Sequence, residues 1–93
     1  MYSCAASYGW QAIYYAYILE SDEHSGEYYR GFTGDLTARL ALHNAKKCVH
    51  TRKYAPWHVK FYAAFETLEL ARAFEKYLKS GSGHAFAKRH MGL

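Results

Sequence analysis

The chain has 93 residues, which is room for one domain with a modest core. Hydrophobic residues make up 51%, which excludes a disordered chain, and the formal charge of +4 favours a polyanionic partner such as nucleic acid. No apolar run is long enough to span a bilayer, and the opening MYSCAASYGWQAI lacks the basic start and apolar core of a signal peptide, so a cytoplasmic protein is expected.

Residues 1–12 mix Ser, Gly and Ala without period and read as an N-terminal extension, with the domain over residues 13–93. Tyr14 to Glu20 (YYAYILE) is aromatic and β-branched and predicts a strand. Ser21 to Glu27 is a polar turn, and Tyr28 to Thr33 (YYRGFT) is the returning strand of a hairpin. Asp35 caps a helix over Leu36 to Asn44. Ala45 to Ala55 is a basic loop, and Trp57 to Phe65 is a third strand. Thr67 caps a second helix, Leu68 to Leu78, which Ser80-Gly81-Ser82-Gly83 is expected to stop. A short last helix is expected over residues 84–91. Cys4 and Cys48 stand far apart, fit no zinc spacing, and read as reduced thiols.

Both helices place charge where apolar residues belong. A helical residue turns about 100°. On the first helix, Arg39 falls between Leu36/Leu40 and Ala38/Leu42, with His43 one turn above it, and Thr37, Ala41 and Asn44 face outward. Arg39 and His43 therefore point towards the body of the protein, either as a snorkelling base and a core histidine or as site residues. On the second helix, Leu70, Ala71, Phe74, Tyr77 and Leu78 form the apolar stripe, and Glu69, Arg72, Lys76 and Lys79 lie opposite. Glu75 sits at the edge of the stripe, where a carboxylate needs a cation, a donor or a metal.

These residues together resemble a known family. Tyr15-Ala16-Tyr17 and Tyr29-Arg30-Gly31, about a dozen residues apart, resemble the GIY and YIG motifs of the GIY-YIG nucleases. Thr33-Gly34-Asp35-Leu36 then leads to Arg39 and His43, and Glu75 in AFEKYLK matches the carboxylate of the family's later helix. The closing stretch is similar to that of small members related to the excinuclease C nuclease module. The chain departs from the motifs at Tyr15, Ala16 and Arg30.

The resemblance implies a small α/β domain, a three-stranded mainly antiparallel sheet flanked by helices. It implies an endonuclease that hydrolyses phosphodiester bonds, with DNA ahead of RNA as partner and repair as the biological direction. Structure-selective rather than sequence-specific cutting is expected. Catalytic roles carry over to Tyr17, Tyr29, Arg39, His43 and Glu75, with Glu75 holding one Mg²⁺ or Mn²⁺. The base that takes a proton from water is Tyr17 or His43. Arg30, Lys46, Lys47, Arg52, Lys53, Lys79, Lys88 and Arg89 are the expected nucleic-acid contacts, and Tyr54 and Trp57 are candidate base-stacking rings. The rival reading is a non-catalytic nucleic-acid-binding module, or a domain active only with a partner.

Overall fold

The computed structural model describes residues 12–93, so the expected extension, apart from Ala12, and Cys4 lie outside the described residues. The order is β1 (Tyr14–Ser21), β2 (Tyr28–Thr33), α1 (Leu36–Asn44), β3 (Trp57–Phe65), α2 (Leu68–Leu78) and α3 (Gly81–Met91). The strands form one sheet in the order β2-β1-β3, and both pairings are antiparallel. A single 3-10 turn, Arg52–Tyr54, interrupts the basic loop.

The register sorts the side chains onto two faces. Tyr17 pairs with Gly31 and Tyr62, and Leu19 pairs with Tyr29 and Val59, so these share one face. On that face Tyr17, Leu19 and Trp57 form a core with Leu36 and Leu40 of α1. Ile18, paired with Arg30 and Phe61, faces the other way. There it packs with Leu78 of α2, Ala87 of α3, Phe74 and Phe86. Helices on both faces explain why Ala16 to Leu19 is an unbroken buried run rather than an alternating one.

Polar side chains fix the joints. Asp35 caps α1 through the Ala38 N–H at 3.0 Å, and Thr67 caps α2 through the Leu70 N–H at 3.2 Å. Asn44 ties the end of α1 to the start of β3. Its Oδ1 accepts the Trp57 N–H at 2.6 Å, and its Nδ2 donates to the Trp57 carbonyl at 3.0 Å. Replacing Asn44 by Ala removes both bonds, and a loss of about 1–3 kcal/mol is expected in chemical denaturation. A variant as stable as wild type would show that water replaces the side chain without cost.

The fold corrects three details of the sequence reading. Ser80 to Gly83 does stop α2, but it also begins α3, which is eleven residues long. Ser80 is its N-cap, accepting from the Gly83 N–H at 3.1 Å, and Gly83 is buried where α3 crosses the last turn of α2. On α2 the buried line is Ala71, Glu75 and Leu78, whereas Leu70 is 52% exposed and Tyr77 lies near the surface. Glu75 thus stands within the buried line and not at its edge. On α1 Leu36, Leu40 and His43 turn to the sheet and Arg39 lines the cleft beside Tyr17, whereas Leu42 faces out. Asn44 is exposed, as expected, and still reaches the Trp57 backbone.

Candidate active site

Tyr17 lies at the centre of β1, fully buried, with its ring laid across Gly31 of β2. A Cβ at position 31 would stand 2.6 Å from the Tyr17 hydroxyl and 2.7 Å from Cζ, so only glycine leaves room for the ring. Tyr29, two residues earlier on β2, packs beside it with ring centroids 6.4 Å apart. The second motif's glycine therefore has a direct physical task, which is to seat the first motif's tyrosine.

His43 comes down from α1 onto these two rings and is also buried. Its Nδ1 lies 2.7 Å from Thr51 Oγ1, and its Nε2 lies 3.1 Å from the Tyr17 hydroxyl. The Thr51 hydroxyl donates to the Cys48 carbonyl, so its oxygen accepts from Nδ1–H. Nε2 is then the open acceptor for the Tyr17 proton. Burial, helped by the nearby Arg39 charge, lowers the His43 pKa and favours the neutral ring. Burial raises the Tyr17 pKa, reinforced by Tyr29; the Arg39 charge works against this rise but does not offset it. One proton therefore lies between the two groups, on the phenol, facing the unprotonated Nε2.

The tyrosines open onto a cleft of about 300 Å³ lined by Tyr17, Tyr29, Gly31, Phe32, Arg39, Glu75 and Lys79. Arg39 reaches it from α1, while Glu75 and Lys79 reach it from α2. Glu75 is only 7% exposed, and Lys79 Nζ lies 2.6 Å from its Oε2. That contact supplies the positive charge a withdrawn carboxylate requires. Four of the five expected catalytic residues, Tyr17, Tyr29, Arg39 and Glu75, line this one cleft, and the fifth, His43, touches it through Tyr17.

The expected nucleic-acid contacts are dispersed. Of them only Lys79 lines the cleft. Lys46, Lys47, Arg52 and Lys53 are exposed along the loop after α1. Lys88 and Arg89 are exposed on α3, which packs on the Ile18 face, and Arg89 borders a separate hollow with Tyr77 and Phe86. Arg30 shares the Ile18 face, across the sheet from Tyr17 and Tyr29, and its buried Nε has no hydrogen-bond partner among the described residues. Trp57 is a core residue whose Nε1 donates to the Thr51 carbonyl at 2.9 Å, and Tyr54 packs against the same core in an edge-to-face contact with His24. The buried Trp57 ring is not free to stack on a base, whereas Tyr54 is half-buried. Two partners escape the sequence reading. Thr51 lies in an irregular segment with no periodicity to point at His43. Lys79 was legible in its i,i+4 spacing from Glu75 but reads first as solvated surface.

Among the described residues no group of three or more His, Cys, Asp and Glu side chains converges. Glu75 is the one carboxylate lining the cleft. A single carboxylate at a cleft fits a cation that keeps most of its own water, such as Mg²⁺ or Mn²⁺, and does not fit zinc.

No helix among the described residues is long and apolar enough to cross a membrane. Curated relatives include UPF0213 proteins of Streptococcus pyogenes serotype M5 and of Streptococcus pneumoniae serotype 4, each 38% identical over 66 residues. Those matches span 70% of this chain, and 70% and 65% of the respective relatives. A solution NMR structure of a UPF0213 protein from Bacillus halodurans superposes with a TM-score of 0.51 at 28% identity, covering 86% of this chain and 87% of that one. The names of these relatives state no activity. The model of the GIY-YIG catalytic domain matches residues 13–89, the same span that carries both tyrosine motifs, Arg39, His43 and Glu75, so the chain belongs to the GIY-YIG domain family, a family of nuclease-type hydrolases.

Proposed function

We propose that this chain is an endonuclease that hydrolyses phosphodiester bonds in nucleic acid, DNA ahead of RNA, using one divalent cation held by Glu75. The observation that supports it is the meeting of Tyr17, Arg39 and Glu75 in one cleft, with the Tyr17 hydroxyl hydrogen-bonded to a neutral His43.

Each residue has a task that its chemistry suits. Arg39 takes the phosphate oxygens with a planar fork and neutralises charge as it builds in the transition state. Tyr17 accepts a proton from the attacking water as it passes its own proton to His43 Nε2. This sequence answers the objection that a buried phenol is a poor base, because the phenolate never has to exist at neutral pH. Thr51 holds the ring in the tautomer that leaves Nε2 open. Tyr29 walls the cleft and keeps the His43 ring in place. A bound Mg²⁺ would polarise the phosphate and stabilise the leaving 3′ oxygen. Contacts of this kind grip backbone rather than bases, which favours structure-selective over sequence-specific cutting.

The pH dependence follows from His43. Its folded pKa lies below the ordinary value of about 6.5. As pH falls through that value the unfolded chain binds a proton that the folded chain refuses, so stability falls. Cleavage then declines at a lower pH, where folded His43 is protonated and Nε2 can no longer accept. On the alkaline side Tyr17 stays protonated beyond its ordinary value near 10, so it contributes no break there. A rate profile whose acid limb lies above pH 7 would contradict this assignment.

The test of the function is a cleavage assay on labelled single-stranded, nicked, branched and duplex DNA and on RNA, with Mg²⁺, Mn²⁺ or chelator. Metal-dependent cutting is expected, with Arg39→Ala slower by about 10²–10³-fold. Binding without cutting under either metal would support the rival binding module instead.

A further inference from the structure

Tyr15 occupies the place of the first motif's glycine and stands on the same face of the sheet as Tyr17. Its ring meets that of Tyr62 edge-on, with centroids 5.9 Å apart. Tyr62 lies mid-strand in β3 as the direct cross-strand partner of Tyr17, yet it is 55% exposed. The cause is the position of α1, which covers the Leu19–Trp57 end of this face and begins beside the other end. A hollow of about 320 Å³ remains there, lined by Tyr15, Tyr62 and Gly34 to Thr37.

We infer that Tyr15 and Tyr62 form a stacking platform for one unpaired nucleobase of the substrate strand, next to the scissile phosphate. This rests on the nuclease reading and names the strand that the site prefers. Three features favour a base there over a phosphate. The walls are aromatic. Among the described residues no Lys or Arg lines the hollow. Its one charged side chain, Asp35, is an anion already tied to the Ala38 N–H. The spacing is suitable too. Residues two apart on a strand are about 6.7 Å apart, so the platform lies one nucleotide's reach from Tyr17. Arg39 takes the backbone in the neighbouring cleft, which gives charge at one end and ring faces at the other. A paired base has both faces covered by its neighbours and cannot enter, so the platform selects single strands, gaps and frayed ends.

The experiment is fluorescence anisotropy in chelator, where no cutting is needed, with short single strands of DNA and RNA and a DNA strand of the same length lacking bases. Tyr62 is the residue to change, because its exposure lets the variants fold. Tyr62→Ala should weaken binding to base-bearing strands about ten- to a hundredfold and leave the abasic strand unchanged, and Tyr62→Phe should bind as wild type does. A loss on either sugar supports the platform. No loss on DNA or RNA, or an equal loss on the abasic strand, overturns it. Duplex cleavage at the wild-type rate by a Tyr62→Ala protein that binds single strands normally would remove the platform and keep the nuclease.

Discussion

Glu75→Gln is expected to slow cleavage by about 10³-fold or more while shifting stability by no more than about 1 kcal/mol. The two halves of this expectation have different origins. Among the described residues the carboxylate is the one acidic side chain lining the cleft, so the amide takes away the ligand for the cation. Lewis-acid stabilisation of a phosphoryl transition state is worth several kcal/mol, and each 1.36 kcal/mol is tenfold in rate. The structural cost is small because the partner lost is Lys79, whose side chain is more than half exposed and returns to water. The amide also removes the buried charge that needed a partner, so no unpaired ion is left behind and the net loss stays within about 1 kcal/mol. Lys79→Met is the control, since it breaks the same ion pair and keeps the carboxylate. It should lose less than about tenfold, mainly in substrate affinity. Equal losses in the two variants would mean that the ion pair, and not a metal, is what Glu75 serves. Thermal unfolding with and without Mn²⁺ separates the cases independently of activity, because only proteins that keep Glu75 should be stabilised by the cation.

The strands, α1 and the body of α2 were legible because their signals are local. Thr67 and Asp35 cap where their type predicts, and the β-branched and aromatic runs at Tyr14 and Trp57 became strands. The start of α3 was harder, because Ser-Gly-Ser-Gly reads as a stop by propensity. What decides it is tertiary: Gly83 is the residue that lets α3 close on α2. The charged positions show the same division. Arg39, His43 and Glu75 stood out against their helical stripes, and the structure gathers them around one cleft. Their partners came from elsewhere in the chain. Thr51 reaches His43 from a loop with no pattern, and the exposure of Tyr62 depends on where α1 begins. Arg30 is an expected nucleic-acid contact, but strand alternation sends it to the face opposite its neighbour Tyr29.

Gly31→Ala is expected to cost about 1–3 kcal/mol of stability and about 10²-fold in activity. The added methyl group would overlap the Tyr17 ring at its hydroxyl end. In an open site a tyrosine tip would swing aside at little cost. Here its position is held on two sides, because it packs against Tyr29 and is hydrogen-bonded to His43. Either the ring shifts and the bond to Nε2 breaks, or β2 moves off and carries Tyr29 with it. Both routes displace the proton acceptor from the water it serves, and misplacement by about 1 Å suffices for a loss of that size. The cause can be isolated by a double-mutant cycle. In a Tyr17→Ala background the clash is absent, so adding Gly31→Ala should cost little further stability. If the alanine is as costly without the Tyr17 ring as with it, the glycine serves the backbone of β2 instead. If Gly31→Ala alone is as stable and as active as wild type, the ring is not confined, and the proton relay through His43 loses its geometric basis.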